Sequence, residues 1–356
     1  MSFRKIMLIA AMCLCTLPGI AFPLKVKGLD TLSTAVWIHD LRWGYDLVRA
    51  NIDTGLVPAS VMKSVTCASL LNLGDSKERF STAVTYTGSL TDSTLCGNLI
   101  VHAIGDPTID SQYLPEAQGF ADSIAASLRR LGVTKIDGDI IIDESAFPDA
   151  TTPPGWMAED IPWYYGARLH GANTHDNRFR LTLPSKATSP KVPDLKFSFS
   201  NPATRGVKIS RKDGSETFQI SGNIKRGISE TLSMPVPSKA MKADIAGRLK
   251  DSGIVITGKK ADSTTAETTL YTHLSPTFGE IMTSLMHRSD NLMAEGMLRA
   301  IAPGGTRAQA IIEENAVWAM AGISGHNVNI VDGSGLSRDN RLTARFLGEI
   351  NKQMTA

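Results

Sequence analysis

The chain has 356 residues, of which 42% are hydrophobic and 20% are charged, and its formal net charge is +2. This composition excludes a disordered or fibrous chain, and the length allows about two or three domains with sizeable cores. The near balance of charge gives no long-range attraction towards nucleic acid, so we expect no nucleic-acid partner.

The first 21 residues have the layout of a secretory signal peptide. Arg4 and Lys5 precede an apolar run, Ile6–Leu17, and small residues at Gly19–Ala21 offer a cleavage position. The apolar run is shorter than the ~20 residues that a membrane-spanning helix needs. We therefore expect export to the periplasm or cell envelope, with no transmembrane segment after cleavage. Cleavage would remove two of the 37 basic residues and leave 35 against 35 acidic residues, a net charge of zero.

Export would also remove two of the four cysteines and leave Cys67 and Cys96 in an oxidising compartment. A disulfide between them is one alternative, and two buried thiols are the other. We favour buried thiols, because Cys67 lies in the middle of a predicted core helix and the sequence does not fix disulfide geometry.

Apolar periodicity and turn residues predict the first elements. Ala35–Ile38 is apolar enough for a buried strand, and Tyr45–Val48 can pair with it across a turn at Arg42–Gly44. A helix then begins at Pro58 and ends at Gly74, a C-cap. Because apolar or small residues cover most of its faces, we expect this helix to lie in the core.

Residues 85–262 are predicted to form short strands and turns, interrupted by two units of similar design. Each unit is a helix followed by a glycine and a strand: Ala121–Leu131 with Gly138–Asp143, and Lys239–Leu249 with Ile254–Ile256. Between the units, alternating apolar and polar residues predict a small β-rich module at about residues 190–235.

Helical periodicity returns in the last part of the chain, at Phe278–Leu285, Asn291–Ala300, Arg307–Met320 and from Ala344 onwards. Asp332–Gly335 is predicted to be a turn, and Thr343 to cap the last helix. The layout predicts an α/β (α+β) fold with a discontinuous domain, built from residues 22–84 and 263–356. Residues 85–262 would be inserted into it.

The helix that begins at Pro58 carries a serine and a lysine three residues apart. Side chains at positions i and i+3 project from nearly the same face, so Ser60 and Lys63 lie within reach of each other. A serine hydroxyl needs a neighbouring base to act as a nucleophile, and burial lowers the pKa of a lysine towards neutrality. Lys63 is therefore a candidate base for Ser60. The pattern alone is weak, because Ser2 and Lys5 repeat it.

A second polar group, Ser289-Asp290-Asn291, separates two predicted helices. Ser289 is a candidate to relay a proton to a leaving group, and the amide of Asn291 is a candidate to hold a substrate amide. The alternative is structural, because Ser, Asp and Asn all serve well as the N-cap of the following helix.

Ser-x-x-Lys and Ser-Asp-Asn are two of the three motifs of penicillin-binding proteins and serine β-lactamases. Six segments, in order, give a more specific resemblance: PASVMK, GDPTID, GDIIIDESAF, GWMAEDIPWYYGA, HRSDNLMAE and VDGSGLSRDNRLT. Over nearly all of its mature length the chain resembles the D-alanyl-D-alanine carboxypeptidase/endopeptidase family, the class C penicillin-binding proteins of peptidase family S13.

The resemblance implies a penicillin-binding-protein/β-lactamase-like transpeptidase domain with inserted β-rich domains. It implies that Ser60 attacks the penultimate D-alanine of a peptidoglycan stem peptide while Lys63 takes its proton, and that water hydrolyses the acyl-enzyme. Ser289 and Asn291 would flank the serine, and β-lactams would acylate it. Asp143 lies where the family can place an acid against the distal amine of the substrate; a turn residue after a strand is the alternative. No cofactor or metal is implied.

The third motif of the family is absent, since the 356 residues contain no Lys-Thr-Gly, His-Thr-Gly or Lys-Ser-Gly. In the family it lies downstream of the segment that matches VDGSGLSRDNRLT and binds the terminal carboxylate of the substrate. We favour an incomplete copy of a longer enzyme over a short product that has lost catalysis. A stop codon after residue 356, with no such motif in any downstream frame, would contradict this.

The sequence leaves two other functions open. A non-catalytic peptidoglycan-binding or scaffold protein of the same fold would account for the absent motif, whereas intact Ser60 and Lys63 favour an enzyme. β-Lactamase or esterase chemistry on the same serine is the second. Metal catalysis has little support, because His170 and His175 lack a convincing further ligand, and we expect them to be polar surface residues.

Overall fold

The computed structural model describes Asp30 and residues 33–201, 206–224, 227–259, 261 and 266–355. The predicted signal peptide, residues 1–21, lies outside this part of the chain. The described residues of Met1–Pro58, Trp318–Ile330 and Asp339–Ala356 form one compact unit, called unit 1 here, and Ala59–Val317 with Val331–Arg338 form another, unit 2. The domain boundaries predicted at 84/85 and 262/263 stay a prediction.

The α-helices of the described chain include every helix that the sequence predicts. In chain order they are α1 (Met62–Leu73), α2 (Phe120–Arg130), α3 (Pro237–Asp251), α4 (Phe278–Arg288), α5 (Asn291–Ala300), α6 (Arg307–Met320) and α7 (Ala344–Thr355). The predicted caps are confirmed at α1, which ends before Gly74, and at α7, where Thr343 Oγ1 accepts a hydrogen bond from Phe346 N at 3.0 Å.

The strands are mostly short, and most of them lie between α1 and α4. They are β1 (Val36–Asp40), β2 (Tyr45–Ala50), β3 (Ser81–Tyr86), β4 (Ser89–Thr91), β5 (Thr94–Cys96), β6 (Leu99–His102), β7 (Lys135–Ile136), β8 (Ile140–Asp143), β9 (Arg178–Leu183), β10 (Ala187–Ser189), β11 (Lys196–Ser200), β12 (Lys208–Arg211), β13 (Thr217–Ser221), β14 (Ile228–Ser233), β15 (Val255–Ile256) and β16 (Thr268–Leu274).

Unit 1 contains the predicted hairpin, in which β1 and β2 pair antiparallel. The ring of Trp37 packs closely against Gly348 of α7. A Cβ atom added at Gly348 would lie 2.2 Å from Cε3 of Trp37. Successive side chains of a strand point to opposite faces, and Ile38 on the other face is 45% exposed. No residue of β1 is buried, because Val36 and Trp37 are only partly covered and Ile38 is exposed, so the prediction of a buried strand is wrong.

In unit 2, two four-stranded sheets flank α2 and α3. Their strand orders are β16-β3-β6-β8 and β15-β7-β5-β4. β7 and β15, which follow α2 and α3, pair in parallel in the second sheet. The strand predicted at 138–143 is β8 of the first sheet, and the shorter β7 just before it was not predicted. Phe120 and Ile245 are among the residues of the shared core.

The predicted β-rich module consists of two three-stranded sheets, β10-β9-β14 and β11-β13-β12, and it begins earlier in the chain than predicted, at β9. Phe179, Phe218 and Leu232 lie in its core. α1 is central, as predicted: Met62 and Val65 are fully buried, and Leu70 packs in one cluster with Met293 and Met297 of α5.

Both cysteines of the described chain are free thiols. Cys67 is buried in α1, as expected, and burial raises the pKa of its thiol to about 12. Cys96 is exposed, so the expectation of a buried thiol is wrong there. The reason is strand alternation, because Leu95 of β5 points into the core and its neighbour Cys96 points outwards.

Candidate active site

Ser60 lies in a short 3-10 turn, Ala59–Val61, that precedes α1. The sequence predicts a helix from Pro58, but Ala59 has a φ of 48°, which an α-helix does not accept, so α1 begins only at Met62. Gly335 packs directly on this turn, and a Cβ there would lie 1.8 Å from the Ala59 carbonyl oxygen. The turn leaves Ser60 exposed at the surface of unit 2.

Lys63 lies in the first turn of α1 and is only 1% exposed. Its Nζ donates hydrogen bonds to three oxygens: Ser60 Oγ at 3.2 Å, Asn291 Oδ1 at 2.6 Å and Ser334 O at 2.7 Å. A lysine ammonium has three N–H donors, so each has an acceptor here. The structure therefore brings together three of the five predicted site residues, Ser60, Lys63 and Asn291.

Burial lowers the pKa of Lys63 below that of a lysine in water, while the negative charges of Glu295, Asp290 and Asp332 partly oppose the shift. A lowered pKa increases the neutral fraction of the amine near pH 7, and the neutral amine can accept a proton from Ser60. The ammonium that forms finds its three acceptors already in place. This arrangement can activate a serine nucleophile.

Asn291 is the first residue of α5, and its amide bridges two parts of unit 2. Its Oδ1 accepts from Lys63, and its Nδ2 donates to Tyr165 O at 2.8 Å. The N-cap of α5 is the neighbouring Asp290, whose Oδ1 accepts from Met293 N at 3.1 Å. Of the three motif residues, Asp290 is thus the N-cap of α5, the structural alternative that the sequence left open. The amide of Asn291 is therefore available to the active site.

Ser289 ends α4 with a φ of 55° and has an exposed side chain. Within the described chain no hydrogen bond joins it to Ser60 or Lys63. It lines a cavity together with Asn291, so it lies close to the same site. Its role in proton relay stays a prediction.

Asp143 ends β8, where it is partly exposed. Its Oδ1 accepts from Ser145 N at 3.0 Å, and its Oδ2 lies 3.4 Å from Nδ1 of His102. The bond from Ser145, followed by the interactions with His102, holds the pKa of Asp143 below its ordinary value. No contact in the described part of the chain joins Asp143 to Ser60 or Lys63. Its role in substrate binding also stays a prediction.

Two features of the site were not predicted: the carbonyl of Ser334, which Lys63 contacts, and the residue that holds it. Glu295 Oε1 accepts hydrogen bonds from Gly333 N at 3.0 Å and Ser334 N at 2.9 Å. Glu295 is 3% exposed, and burial raises its pKa to about 7. A sequence signal was present, because Glu295 follows Asn291 by four residues and so shares its helix face within an apolar segment.

The expectation that His170 and His175 are surface residues is wrong for His170 and holds only in part for His175. His170 is buried, Arg168 Nε donates to its Nε2 at 3.1 Å, and burial lowers its pKa to about 3. His175 is partly buried, and its Nε2 lies 2.8 Å from Asp244 Oδ2. Among the described residues, no group of three or more potential ligand side chains is placed to hold a metal ion.

Comparison with known proteins identifies the family. The sequence model of the D-Ala-D-Ala carboxypeptidase 3 (S13) family matches residues 24–356. The chain belongs to the S13 family. This confirms the resemblance read from the six sequence segments.

The chain is also similar to two curated bacterial proteins. D-alanyl-D-alanine carboxypeptidase DacB of Haemophilus influenzae is 26% identical over 321 residues, which are 83% of this chain and 66% of that protein. D-alanyl-D-alanine carboxypeptidase of Actinomadura sp. strain R39 is 25% identical over 355 residues, 90% of this chain and 64% of that protein. The chain therefore spans about two thirds of the length of these relatives.

The fold is shared with a solved structure, penicillin-binding protein 4 (dacB) of Haemophilus influenzae. The TM-score is 0.74 at 23% sequence identity, and the match covers 90% of this chain and 75% of the other. The mixed α/β fold of a penicillin-binding protein is thus confirmed. A second structure of that protein, in complex with a β-lactam, matches with a TM-score of 0.69 at 22% identity, covering 90% of this chain and 73% of that chain.

Proposed function

We propose that this S13-family chain is a serine-type D-Ala-D-Ala carboxypeptidase/endopeptidase that acts on peptidoglycan stem peptides through an acyl-enzyme on Ser60. One observation carries the proposal: the Nζ of a buried lysine, Lys63, lies 3.2 Å from Ser60 Oγ and is held by Asn291 and Ser334. The names of the two relatives, both D-alanyl-D-alanine carboxypeptidases, support the same substrate class.

In the acylation step, neutral Lys63 takes the proton of Ser60 as Oγ forms a bond to the carbonyl carbon of the penultimate D-alanine. The bond from that carbon to the nitrogen of the terminal D-alanine breaks, and the nitrogen takes up a proton, for which Ser289 is the proposed relay. Water then attacks the ester, and the shortened peptide leaves. In the endopeptidase reaction the leaving amine belongs to the diamino acid of a neighbouring stem peptide.

Two further residues are proposed to position the substrate. The Nδ2 of Asn291 carries two N–H groups, and the bond to Tyr165 O uses one of them. The second is available to a carbonyl of the bound peptide. Asp143, whose lowered pKa keeps it ionised at neutral pH, is proposed to face the distal amine of the substrate.

The substrate class places this activity outside the cytoplasm, in the periplasm or cell envelope. The signal peptide predicted at residues 1–21 would direct the chain there. Within the described residues, none of the helices has the length and apolar content of a membrane span. Fractionation of cells that express the full chain, with and without residues 2–21, tests this location.

Intact-mass analysis after incubation with a penicillin tests the nucleophile. We expect one penicillin mass added to the wild-type chain and none to Ser60→Ala. Ser64→Ala is the matched control, because Ser64 lies one helical turn further along and its hydroxyl donates only to Val61 O; this variant should still be acylated. No adduct on the wild type would contradict the enzyme proposal and favour a non-catalytic peptidoglycan-binding or scaffold protein of the same fold.

A further inference from the structure

A cavity of about 700 Å³ opens beside the candidate active site in unit 2. Ser289 and Asn291 form part of its wall, and Asn291 also contacts Lys63. The rest of the wall is mostly polar and aromatic and comes from residues 110, 112–113, 164–165, 175–176, 178–180, 189–190, 231, 288, 290 and 292. A cavity of this size has room for several residues of a peptide ligand.

The three aspartates in the wall are already engaged by the fold. Each accepts a hydrogen bond from a donor of its own surroundings: Asp110 from Gly119 N at 2.8 Å, Asp176 from Ser111 Oγ at 2.5 Å and Asp290 from Met293 N at 3.1 Å. The fourth acidic group nearby, Asp244, pairs with His175. The carboxylates of the wall therefore already have hydrogen-bond or ion-pair partners within the protein.

Of the three arginines in the wall, only one forms an ion pair with a carboxylate of the described chain. Arg178 pairs with Asp290, with 3.0 Å between Nη2 and Oδ2, and its guanidinium lies over the rings of Tyr113 and Tyr164. Arg180 on β9 and Arg288 at the end of α4 are exposed, and no carboxylate of the described chain forms an ion pair with either. The cavity thus carries two cationic groups that lack a partner of opposite charge among the described residues.

An aromatic ring orients one of these two guanidinium groups, that of Arg288. The guanidinium carbon of Arg288 lies 3.1 Å from the ring centroid of Tyr113, which is also in contact with Arg178. A guanidinium that stacks on a ring keeps its N–H edge available, and that edge matches the two oxygens of a carboxylate. The chemistry of the cavity is therefore suited to an anionic group with planar geometry.

We infer that this cavity is a subsite for a free carboxylate of the peptide substrate, bound by Arg180 and Arg288 at a residue upstream of the C-terminal D-Ala-D-Ala. The inference rests on the proposed function, which supplies a peptide held at Ser60. Asn291 contacts Lys63 of the active site and also lines the cavity. A peptide bound at Ser60 can therefore extend past Asn291 into the cavity. The subsite makes the enzyme prefer peptides with an internal carboxylate to their amidated forms.

A pair of synthetic peptides tests the subsite. Both end in D-Ala-D-Ala and they differ in one internal residue, glutamate in one and glutamine in the other. Their dissociation constants are measured by calorimetry on the wild-type chain, on Arg180→Gln and on Arg129→Gln. Arg129 is the matched control, because it is an exposed arginine at the end of α2, outside the cavity. Acylation of wild-type Ser60 by penicillin is measured separately.

The glutamate peptide should bind the wild type on the order of tenfold more tightly, as one or two charge-assisted hydrogen bonds provide. The ratio of the two dissociation constants, glutamine peptide to glutamate peptide, should fall towards one in Arg180→Gln and stay near the wild-type value in Arg129→Gln. Equal affinity for the two peptides, or no binding of either at millimolar concentration, overturns the subsite even if penicillin acylates Ser60. A preserved preference without any acylation supports the subsite and instead contradicts the proposed function.

Discussion

Nζ of Lys63 and Oδ1 of Asn291 lie 2.6 Å apart, although 228 positions separate the two residues in the chain. The contact joins the first turn of α1 to the first residue of α5. Asn291 is fixed in turn by Tyr165 O, at 2.8 Å from its Nδ2. The position of the proposed base therefore depends on a distant part of the sequence, and substitutions at either end of the contact test its function.

Lys63→Met tests the base itself. Methionine keeps an unbranched side chain in the buried space but has no group that accepts a proton. We expect the rate of Ser60 acylation by penicillin to fall about 10²- to 10⁴-fold, the usual contribution of a general base. Time-resolved intact-mass analysis measures the rate. Lys77→Met, at an exposed lysine just after α1, should keep the wild-type rate. A wild-type rate in Lys63→Met would remove Lys63 from the mechanism.

Asn291→Asp tests the electrostatic coupling between the two residues. A carboxylate at this distance favours the ammonium form and so raises the pKa of Lys63. Neutral lysine then forms only at higher pH, and the acidic limb of the pH profile of acylation should move upwards by about one unit or more. Asn315→Asp, on the exposed face of α6, should leave the profile in place. An unchanged or downward-shifted limb in Asn291→Asp would contradict the coupling.

The sequence predicted the helices well because their signals are local. The apolar periodicity of α5 and α6, the glycine after α1 and the threonine before α7 all lie within a few residues of the element that they define. The proximity of Ser60 and Lys63 was predictable for the same reason, because side chains three residues apart in a helical turn lie on nearly the same face. Only the predicted start of α1 was wrong, because Ala59 has a positive φ, a backbone conformation that alanine does not favour.

Contacts between distant segments could not be derived from periodicity. Ser334 O is 271 positions from Lys63, and nothing in the local sequence shows that the turn at Asp332–Gly335 meets α1. The burial of His170 was missed because a polar residue in an irregular segment carries no periodic signal. Exposure of Cys96 was missed because β5 has three residues, too few to show alternation.

Glu295 is predicted to position the carbonyl of Ser334 for Lys63. Glu295→Ala leaves the N–H groups of Gly333 and Ser334 buried without this acceptor, so we expect a loss of about 2–5 kcal/mol in unfolding free energy and slower acylation. Glu295→Gln retains an oxygen acceptor and should preserve most of the rate. Urea unfolding and acylation kinetics measure both effects.

The pH profile separates positioning by Glu295 from a purely structural role. Its carboxylate raises the pKa of Lys63, so glutamine should move the acidic limb of the Glu295→Gln profile to lower pH. If Glu295→Ala acylated as fast as Glu295→Gln, the positioning role would be refuted.

Gly335 is predicted to be required by its close approach to Ala59. Gly335→Ala combines a φ of 79° with a Cβ 1.8 Å from the Ala59 carbonyl oxygen. Gly304→Ala is the matched control, with a φ of 73° and open space around the added atom. Backbone strain alone should cost Gly304→Ala about 1–2 kcal/mol. Gly335→Ala should cost more and also slow acylation, because the turn that carries Ser60 must move. Equal losses of unfolding free energy in the two variants would show that the close approach of Gly335 to Ala59 does not matter for stability.

Glu314 gives a pH dependence of stability that is independent of catalysis. Burial raises its pKa from 4.5 to about 8, and Ser69 Oγ donates to its Oε1 at 3.2 Å. Between these two pH values the folded chain holds a proton that the unfolded chain has lost. The free energy of unfolding therefore falls as pH rises through this window, by at most about 1.4 kcal/mol per pH unit.

Glu314→Gln fixes the neutral form of this side chain and should remove that contribution. Its melting temperature should match that of the wild type near pH 4.5 and exceed it increasingly towards pH 8, because only the wild type must then bury a charge or retain a proton against the solvent pH. Thermal melts across this range measure the difference. Glu313→Gln, at the exposed neighbouring position of α6, should show a difference that does not change with pH. A gap between Glu314→Gln and the wild type that stays constant with pH would mean that Glu314 ionises as readily in the folded chain as in the unfolded one.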